Sequence, residues 1–480
     1  MTDYKLVLYG SGKRCKILCK ILAQANANII AIIDSNPNKW GEEFEGYSID
    51  SPEKMREFGD GNVCITISDF EAVKIIRKQL NEIYQYSLSN EVGYNELILR
   101  LYKENLKIKE RILSWEVYKD RENTILFDCY NGLGLGGVEA WTMDVCGALI
   151  NKGKENIYIV SDNGSYKVPS VLAGHIINAD INHNERFLEK SVLSLINIMM
   201  ERLPFKVVTC TTNEIMLAAY LIKCQYPNMV EIISVIHNSN EKVYMDYIDF
   251  KECSDIYIGV SEDIKDGMVK RGIQPENIYS MTCPFPCERI LSRTYSDNCY
   301  VPIKIGYAGR MEYSQKRMDL VLNLMEILEK DKVDFSFELA GDGAARQKME
   351  EFVSCNNLGS KVKFLGRLER EEVFDFWRKQ DICVNLADYE GRSLSIIEAM
   401  GNGAVPVVTE VSGVREDIVD SVNGYIVPLE DYQTMADRIK YLASHRERLS
   451  EMGQLAHDTV YPKSLMKSHL EFWEKIFHVK

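Results

Sequence analysis

The feature that most constrains this chain is a pattern repeated along most of its length. A short run of apolar and β-branched residues leads into a turn, and the turn into a stretch with helical spacing. Such runs stand at 6–9, 29–33, 124–130, 156–160, 206–210, 231–236, 255–260 and 277–281, and a second series at 303–307, 335–340, 362–365, 382–385 and 404–408. Strands that are apolar throughout must be covered on both faces, and strands that alternate with helices pair in parallel. The pattern therefore predicts an α/β chain of doubly wound domains.

At 480 residues the chain exceeds what one core organises. Breaks in the pattern divide it into a small α/β domain at 1–90, a linker helix at 91–122, two larger domains at 123–295 and 296–464, and a closing helix at 465–480. The linker reads as one long helix from Tyr94 to Lys119, with Ile98, Leu101, Ile108, Ile112 and Trp115 on one face. On its other face Lys103, Lys107, Lys109 and Arg111 alternate with Glu104 and Glu110, a solvated arrangement. The stretch from Cys283 to Pro302 has no helical period and reads as a crossing between domains. The tail from Ser464 to Phe477 has apolar residues at helical spacing and is expected to be a closing helix that crosses back to brace the first of the two larger domains.

Composition excludes several function classes. A hydrophobic fraction of 46% and a charged fraction of 27% are those of a globular protein. A formal charge of −14 argues against nucleic acid as a partner, because phosphate backbones call for a concentrated basic surface. No stretch reads as membrane-spanning or as a secretion signal, so the expected location is the cytoplasm, with peripheral attachment at the inner membrane face as the variant. The 13 cysteines are scattered through strands and helices, which points to reduced thiols. Cys283 and Cys287 make an isolated pair that reads better as structural thiols than as metal ligands.

The first strand ends in a glycine turn, Gly10-Ser-Gly12, and the second ends at Asp34. Glycines there permit close backbone approach to a phosphate, and the acid is placed for a ribose hydroxyl. The third fingerprint position holds Cys15 instead of a small residue. Residues 1–90 resemble the small Rossmann-like domains that precede sugar-modifying enzymes and some acyltransferases. A nucleotide or nucleotide sugar is one expected ligand. The other reading is a docking or oligomerisation domain, for a homo-oligomer or a partner protein.

The chemistry concentrates farther on. Glu390-Gly-Arg-Ser-Leu-Ser-Ile-Ile-Glu398 sets two glutamates seven residues apart across a loop-to-helix turn. Upstream lie Gly309-Arg-Met-Glu-Tyr-Ser-Gln-Lys-Arg317, Leu339-Ala-Gly-Asp-Gly343 and Phe364-Leu-Gly-Arg367; downstream lie Gly403-Ala-Val-Pro-Val-Val408 and Gly413-Val-Arg-Glu416. In this order the six elements resemble the donor domain of retaining glycosyltransferase family 4, with a likeness that extends over about 124–480. The resemblance implies the GT-B fold, two Rossmann-like domains facing a cleft, here preceded by the additional small domain. It also implies a nucleotide diphosphate sugar as donor, a UDP-sugar before a GDP-sugar, and a glycan, lipid-linked or protein acceptor in polysaccharide biosynthesis. Neither a cofactor nor a metal is expected, since no Asp-x-Asp pair stands at a strand end.

Physical chemistry fits that assignment. Cleavage of the donor adds charge to an already anionic pyrophosphate, so something cationic must hold it. Arg310 offers a planar fork suited to phosphate, and Lys316 a mobile point charge. Gly391, Arg392, Ser393 and Leu394 open a helix whose N–H groups and dipole attract an anion. The resemblance places the donor's sugar and phosphate there, with Glu390 accepting from sugar hydroxyls and Glu398 from the ribose. Arg392 and Ser393 depart from the family's usual residues; Arg392 is read either as a contact to phosphate or an acidic sugar, or as a solvent-facing side chain. Gly341 allows close approach of the donor, and Asp342 reads as a turn residue. Gly136 and Gly137 begin a helix and match the family's loop near the donor phosphates or acceptor.

His237 follows a strand, at the carboxyl end where ligands of parallel sheets bind, and the resemblance sets it against the transferred sugar. His237, Arg310, Lys316 and Glu390 are thus the expected catalytic set. Ser261 reads as a helix cap. Retention is expected through attack on the face from which the leaving group departs. The rival reading is a non-catalytic nucleotide-sugar-binding scaffold subunit, against which stands the presence of Arg310, Lys316, Glu390 and Glu398 together.

Overall fold

The computed structural model describes residues 5–25, 27–58, 61–105, 122–134, 136–183, 186–285 and 287–478. Contacts group the chain into two compact units, Met1–Val235 with Glu241–Tyr257, and Ile236–Asn240 with Ile258–Lys480.

The first unit opens with a five-stranded sheet. Its strands are β1 (Lys5–Tyr9), β2 (Asn28–Ile33), β3 (Glu43–Phe44), β4 (Tyr47–Asp50) and β5 (Asn62–Ile65), in the order β3-β4-β2-β1-β5. All pairs are parallel except β3 with β4. Val7, Tyr9, Ile33 and Val63 face a core closed by Ile76 and Leu80 of the helix Phe70–Glu82. At the end of β1 the chain turns through Gly10 at φ +107°. A Cβ there would stand 2.7 Å from a side-chain carbon of Ile67, so the turn requires glycine.

The second sheet comprises β6 (Thr124–Cys129), β7 (Ile157–Ser161), β8 (Ile176–Asn178), β9 (Phe205–Thr209), β10 (Val230–Ile236), β11 (Ile256–Gly259) and β12 (Ile278–Ser280), ordered β12-β11-β10-β9-β6-β7-β8. Strands β6 to β10 pair in parallel. The residues of β9 and β10 are buried on both faces, as their apolar runs require.

The expected linker helix is observed over Tyr94–Asn105; its continuation, with Lys107, Ile108, Lys109, Arg111, Ile112 and Trp115, lies outside the described residues. The observed part packs within the first unit. Leu97, Ile98, Leu99, Leu101 and Tyr102 are buried, the Tyr102 hydroxyl donates to the Phe187 carbonyl at 2.5 Å, and Asn95 donates to Asp246 at 2.9 Å. At roughly 1.5–3 kcal/mol for each large apolar side chain, this face holds residues 5–90 and the strands from 124 together as one body.

The second unit carries a six-stranded sheet of β13 (Ile303–Ala308), β14 (Phe335–Ala340), β15 (Val362–Gly366), β16 (Ile382–Asn385), β17 (Val405–Thr409) and β18 (Tyr425–Val427). Its order is β15-β14-β13-β16-β17-β18, parallel throughout. One face packs Ile305, Leu324, Phe337 and Val407; the other packs Trp377, Ile396, Met400 and Val408. The direction of winding reverses between β13 and β16, and loops that leave such a reversal splay into a crevice at the strands' carboxyl ends. The closing helix is observed at Met466–His478, with His469, Leu470, Trp473 and Ile476 buried. The stretch 283–302 is neither helix nor strand where it is described.

Candidate active site

The loops that leave β13 and β16 carry most of the expected site. After β13 come Gly309 and Arg310, and Lys316 stands just before the helix Met318–Lys330. After β16 come Tyr389 and Glu390, then the helix Leu394–Gly401 with Ser393 at its N-cap. Lys316 donates from Nζ to Glu390 Oε1, and both side chains are largely shielded from solvent. Arg310 donates to the Gln315 side-chain oxygen at 3.0 Å, and the Gln315 amide donates to the Tyr389 carbonyl at 2.9 Å. Arg310 also lies 3.4 Å from Glu312 and keeps 66% of its side-chain area exposed, so its fork is open to a ligand. The cations at 310 and 316 and the carboxylate at 390 thus converge.

Close backbone packing fixes this cluster. A Cβ on Gly391 would stand 2.1 Å from the His237 carbonyl oxygen, a distance no side chain tolerates. The Ser239 hydroxyl donates to the Glu390 carbonyl at 2.5 Å. The segment after β10 is therefore fastened to the loop that holds Glu390. Gly341, at φ +127°, brings β14 equally close: a Cβ there would lie 1.9 Å from the Gly309 carbonyl. His237 is held neutral. Burial pushes its pKa down to about 3, and the neighbouring His469 adds to the fall.

Other residues have different roles. Arg392 does not point to solvent and is not a free fork for an anion. Its side chain is 3% exposed and grips Asp417 bidentately, at 3.0 and 2.6 Å, with Glu416 3.6 Å away. The sequence offered no sign of this pairing, because Asp417 lies 25 residues on. Ser393 accepts from Asn385 at 3.2 Å. Leu394 opens the helix, and Glu398 lies partly buried within it.

Asp342 accepts from the Gly343 N–H at 2.8 Å. Ser261 caps its helix by accepting from the Ile264 N–H at 3.3 Å. Gly136 and Gly137 stand at the N-terminus of the helix Gly137–Asn151, in the first unit. Burial pushes the thiols of Cys283 and Cys287 up to about 12 and about 11, which keeps both protonated and inert. Gln315 and Asn385, which tie the cluster together, were not anticipated. Gln315 is 6% exposed, and a neutral amide inside a charged motif carries no pattern of its own.

In the first unit Asp34 is engaged internally. Burial pushes its carboxyl up, but the Ser11 hydroxyl and N–H, the Asn36 N–H and the Lys39 ammonium outweigh that and bring it down to about 2. A ribose at this acid would compete with all of them.

Comparison with known proteins agrees with this architecture. Residues 302–445 match the family model described as glycosyl transferases group 1, and residues 2–90 match one described as C2185-like, N-terminal. The chain is 28% identical over 177 residues to a poly(ribitol-phosphate) alpha-N-acetylglucosaminyltransferase of Staphylococcus aureus, which is 36% of this chain and 35% of that protein. It is 24% identical over 282 residues to an N-acetyl-alpha-D-glucosaminyl L-malate synthase of Bacillus anthracis, 55% of this chain and 71% of that one. The match thus spans about a third of the length of the first of these relatives. Among solved structures, Anabaena HepE in complex with UDP and glucose superposes with a TM-score of 0.61 at 14% identity, covering 75% of this chain and all of HepE. Staphylococcus aureus TarM, in complex with UDP among other ligands, superposes with a TM-score of 0.52 at 14% identity over 99% of this chain and all of that one. The fold is GT-B with an additional N-terminal sheet domain, and residues 302–445 are similar to the group 1 glycosyl transferases.

Proposed function

We propose that this chain is a retaining, metal-independent glycosyltransferase that moves a sugar from a nucleotide diphosphate sugar, a UDP-sugar before a GDP-sugar, to a glycan, lipid-linked or protein acceptor. The observation that carries this reading is the convergence of Arg310, Lys316 and Glu390 at the reversal between β13 and β16. UDP in the HepE and TarM complexes supports the nucleotide, and the acetylglucosaminyl transferases among the relatives support an amino-sugar donor.

Each residue has a role in this scheme. Arg310 and Lys316 supply fixed positive charge to the departing pyrophosphate, the term that usually dominates such catalysis. Glu390 holds the Lys316 ammonium in place and accepts from sugar hydroxyls, while Glu398 accepts from the ribose. His237, neutral at physiological pH, hydrogen-bonds the transferred sugar without adding charge beside a cation-like anomeric carbon. The acceptor hydroxyl attacks from the face the phosphate leaves, and the phosphate oxygen takes its proton. Gly341 gives close backbone approach.

The test is a thermal-shift panel of UDP- and GDP-sugars, followed by transfer to acceptor extracts and analysis of the product's anomeric proton coupling. A UDP-sugar should stabilise the protein, and the new linkage should keep the donor's configuration. An inverted linkage would overturn the mechanism. Stabilisation by nucleotide sugars without transfer to any extract would favour the scaffold reading.

A further inference from the structure

The first unit contains a cavity of about 400 Å³ that the glycosyl-transfer reading does not use. It opens between the turn after β1, at Gly12, Lys13 and Arg14, and the segment after β5, at Thr66 to Ser68. In the order β3-β4-β2-β1-β5 the winding reverses between β1 and β5, so this is the crevice where doubly wound sheets take ligands. The helix Lys13–Gln24 points its N-terminus there with Gly12 as cap. The far wall is formed by Tyr94, His183 and Arg186, all in the same unit.

Charge and shape narrow the ligand. Lys13, Arg14, His183 and Arg186 line the cavity, and among the described residues lining it none is acidic, although the chain as a whole carries −14. Arg186 is steadied by its donation to the Thr212 carbonyl at 2.6 Å and by Glu214 3.9 Å away, and His183 lies 3.0 Å from Asp162. Arg14 is steadied by lying 4.8 Å over the Tyr94 ring. These pairings leave Lys13 and Arg14 as the main charges for a ligand. Of the neutral polar side chains, Thr66 donates to the Gly10 carbonyl at 2.6 Å and Asn95 donates to Asp246. A polyol would find few partners, whereas Ile17, Ile67 and Phe187 offer apolar wall to a flat ring. The usual dinucleotide ribose acid, Asp34, is engaged elsewhere. The volume falls within the range of small-molecule sites, which is roughly 300–1,000 Å³.

We infer that this cavity binds a nucleoside phosphate of mononucleotide size, with its phosphate at the N-terminus of the helix Lys13–Gln24 between Arg14 and Arg186. It is a second nucleotide site, separate from the donor site and independent of the proposed transfer activity.

Titration calorimetry on the full chain tests this, with UMP, AMP and GMP as probes and glucose 1-phosphate and inorganic phosphate as controls. Hydrogen exchange would be read in parallel over residues 11–18. At least one nucleotide should bind and protect that segment. The decisive variant is Gly12→Asp. A Cβ at Gly12 meets no atom within 4 Å, and aspartate is a good helix cap, so the fold should tolerate it, while its carboxylate repels a phosphate. Binding should weaken at least about tenfold in Gly12→Asp and in Arg14→Gln, the loss expected of a misplaced or missing charge at a phosphate. Arg310→Ala should leave the protection at 11–18 intact. The inference is overturned if no nucleotide protects that segment, if both variants bind as tightly as the wild type, or if the controls bind as well as the nucleotides.

Discussion

Arg392 shows how one residue can be misjudged by its motif. Its guanidinium sits within the sequence that forms the candidate site, yet it is committed to Asp417, whose side chain is also 3% exposed and receives Lys463 at 2.7 Å. Replacing Arg392 with leucine leaves a buried carboxylate short of its main partner, and such losses cost about 3–5 kcal/mol. We expect Arg392→Leu to lower the urea midpoint strongly and to leave the UDP affinity of the folded protein unchanged. Unchanged stability with lost UDP affinity would return Arg392 to the anion site. Two histidines of the second unit, His237 and His469, make a prediction about pH. Burial pushes His237 down to about 3 and His469 to about 4, against about 6.5 in an unfolded chain. Between these values the unfolded state binds more protons, so stability falls as pH drops below about 6.5 and recovers as it rises. His237→Gln with His469→Gln should flatten that slope in urea unfolding measured from pH 7 to pH 4. An unaltered slope would mean that the two are not buried neutral.

At the scale of elements, the close approach of the loop at Gly391 to the end of β10 sets the geometry of the site. An added methyl 2.1 Å from the His237 carbonyl must push one of them aside, and a displacement near 1 Å at a catalytic cluster costs about 10² in rate. Gly391→Ala is expected to lose about that factor in transfer with a modest stability loss of about 1–3 kcal/mol. Full activity in this variant would show that the Lys316–Glu390 geometry does not depend on the contact. The elements themselves were largely legible. Phe335–Ala340 and Ile382–Asn385 coincide with their sequence readings, and the other strands read from sequence differ by a residue or two, because a strand that faces a core writes apolar residues at regular spacing. Strands β3, β4, β5, β8 and β18 do not stand out in the sequence; each has only two to four residues, which leaves too little pattern. At the site, Arg310, Lys316 and Glu390 were readable because their chemistry is distinctive, whereas Gln315 and the Arg392–Asp417 pairing depend on tertiary contacts that spacing does not encode.

At the scale of the molecule, the N-terminal sheet is not a detachable appendage. The helix Tyr94–Asn105 contacts the helices Lys13–Gln24, Glu214–Gln225 and Glu241–Asp249. A chain beginning at residue 123 would expose the surfaces that cover Leu97, Ile98, Leu101 and Tyr102, a loss of about 1.5–3 kcal/mol for each buried side chain. Such a chain is expected to melt well below the full protein or to aggregate, as followed by circular dichroism; an equal melting temperature would show the two parts to be independent.

The central claim is that side chains of the second unit, rather than a divalent cation, hold the donor's pyrophosphate. It is tested most directly by titrating UDP into the wild type and Arg310→Ala, each in EDTA and again with added Mg²⁺. The account predicts one wild-type affinity with or without chelator, and a loss of about tenfold or more in Arg310→Ala, as expected for a bidentate phosphate contact. UDP binding that appears only with the metal, or that is as tight in Arg310→Ala as in the wild type, would contradict it.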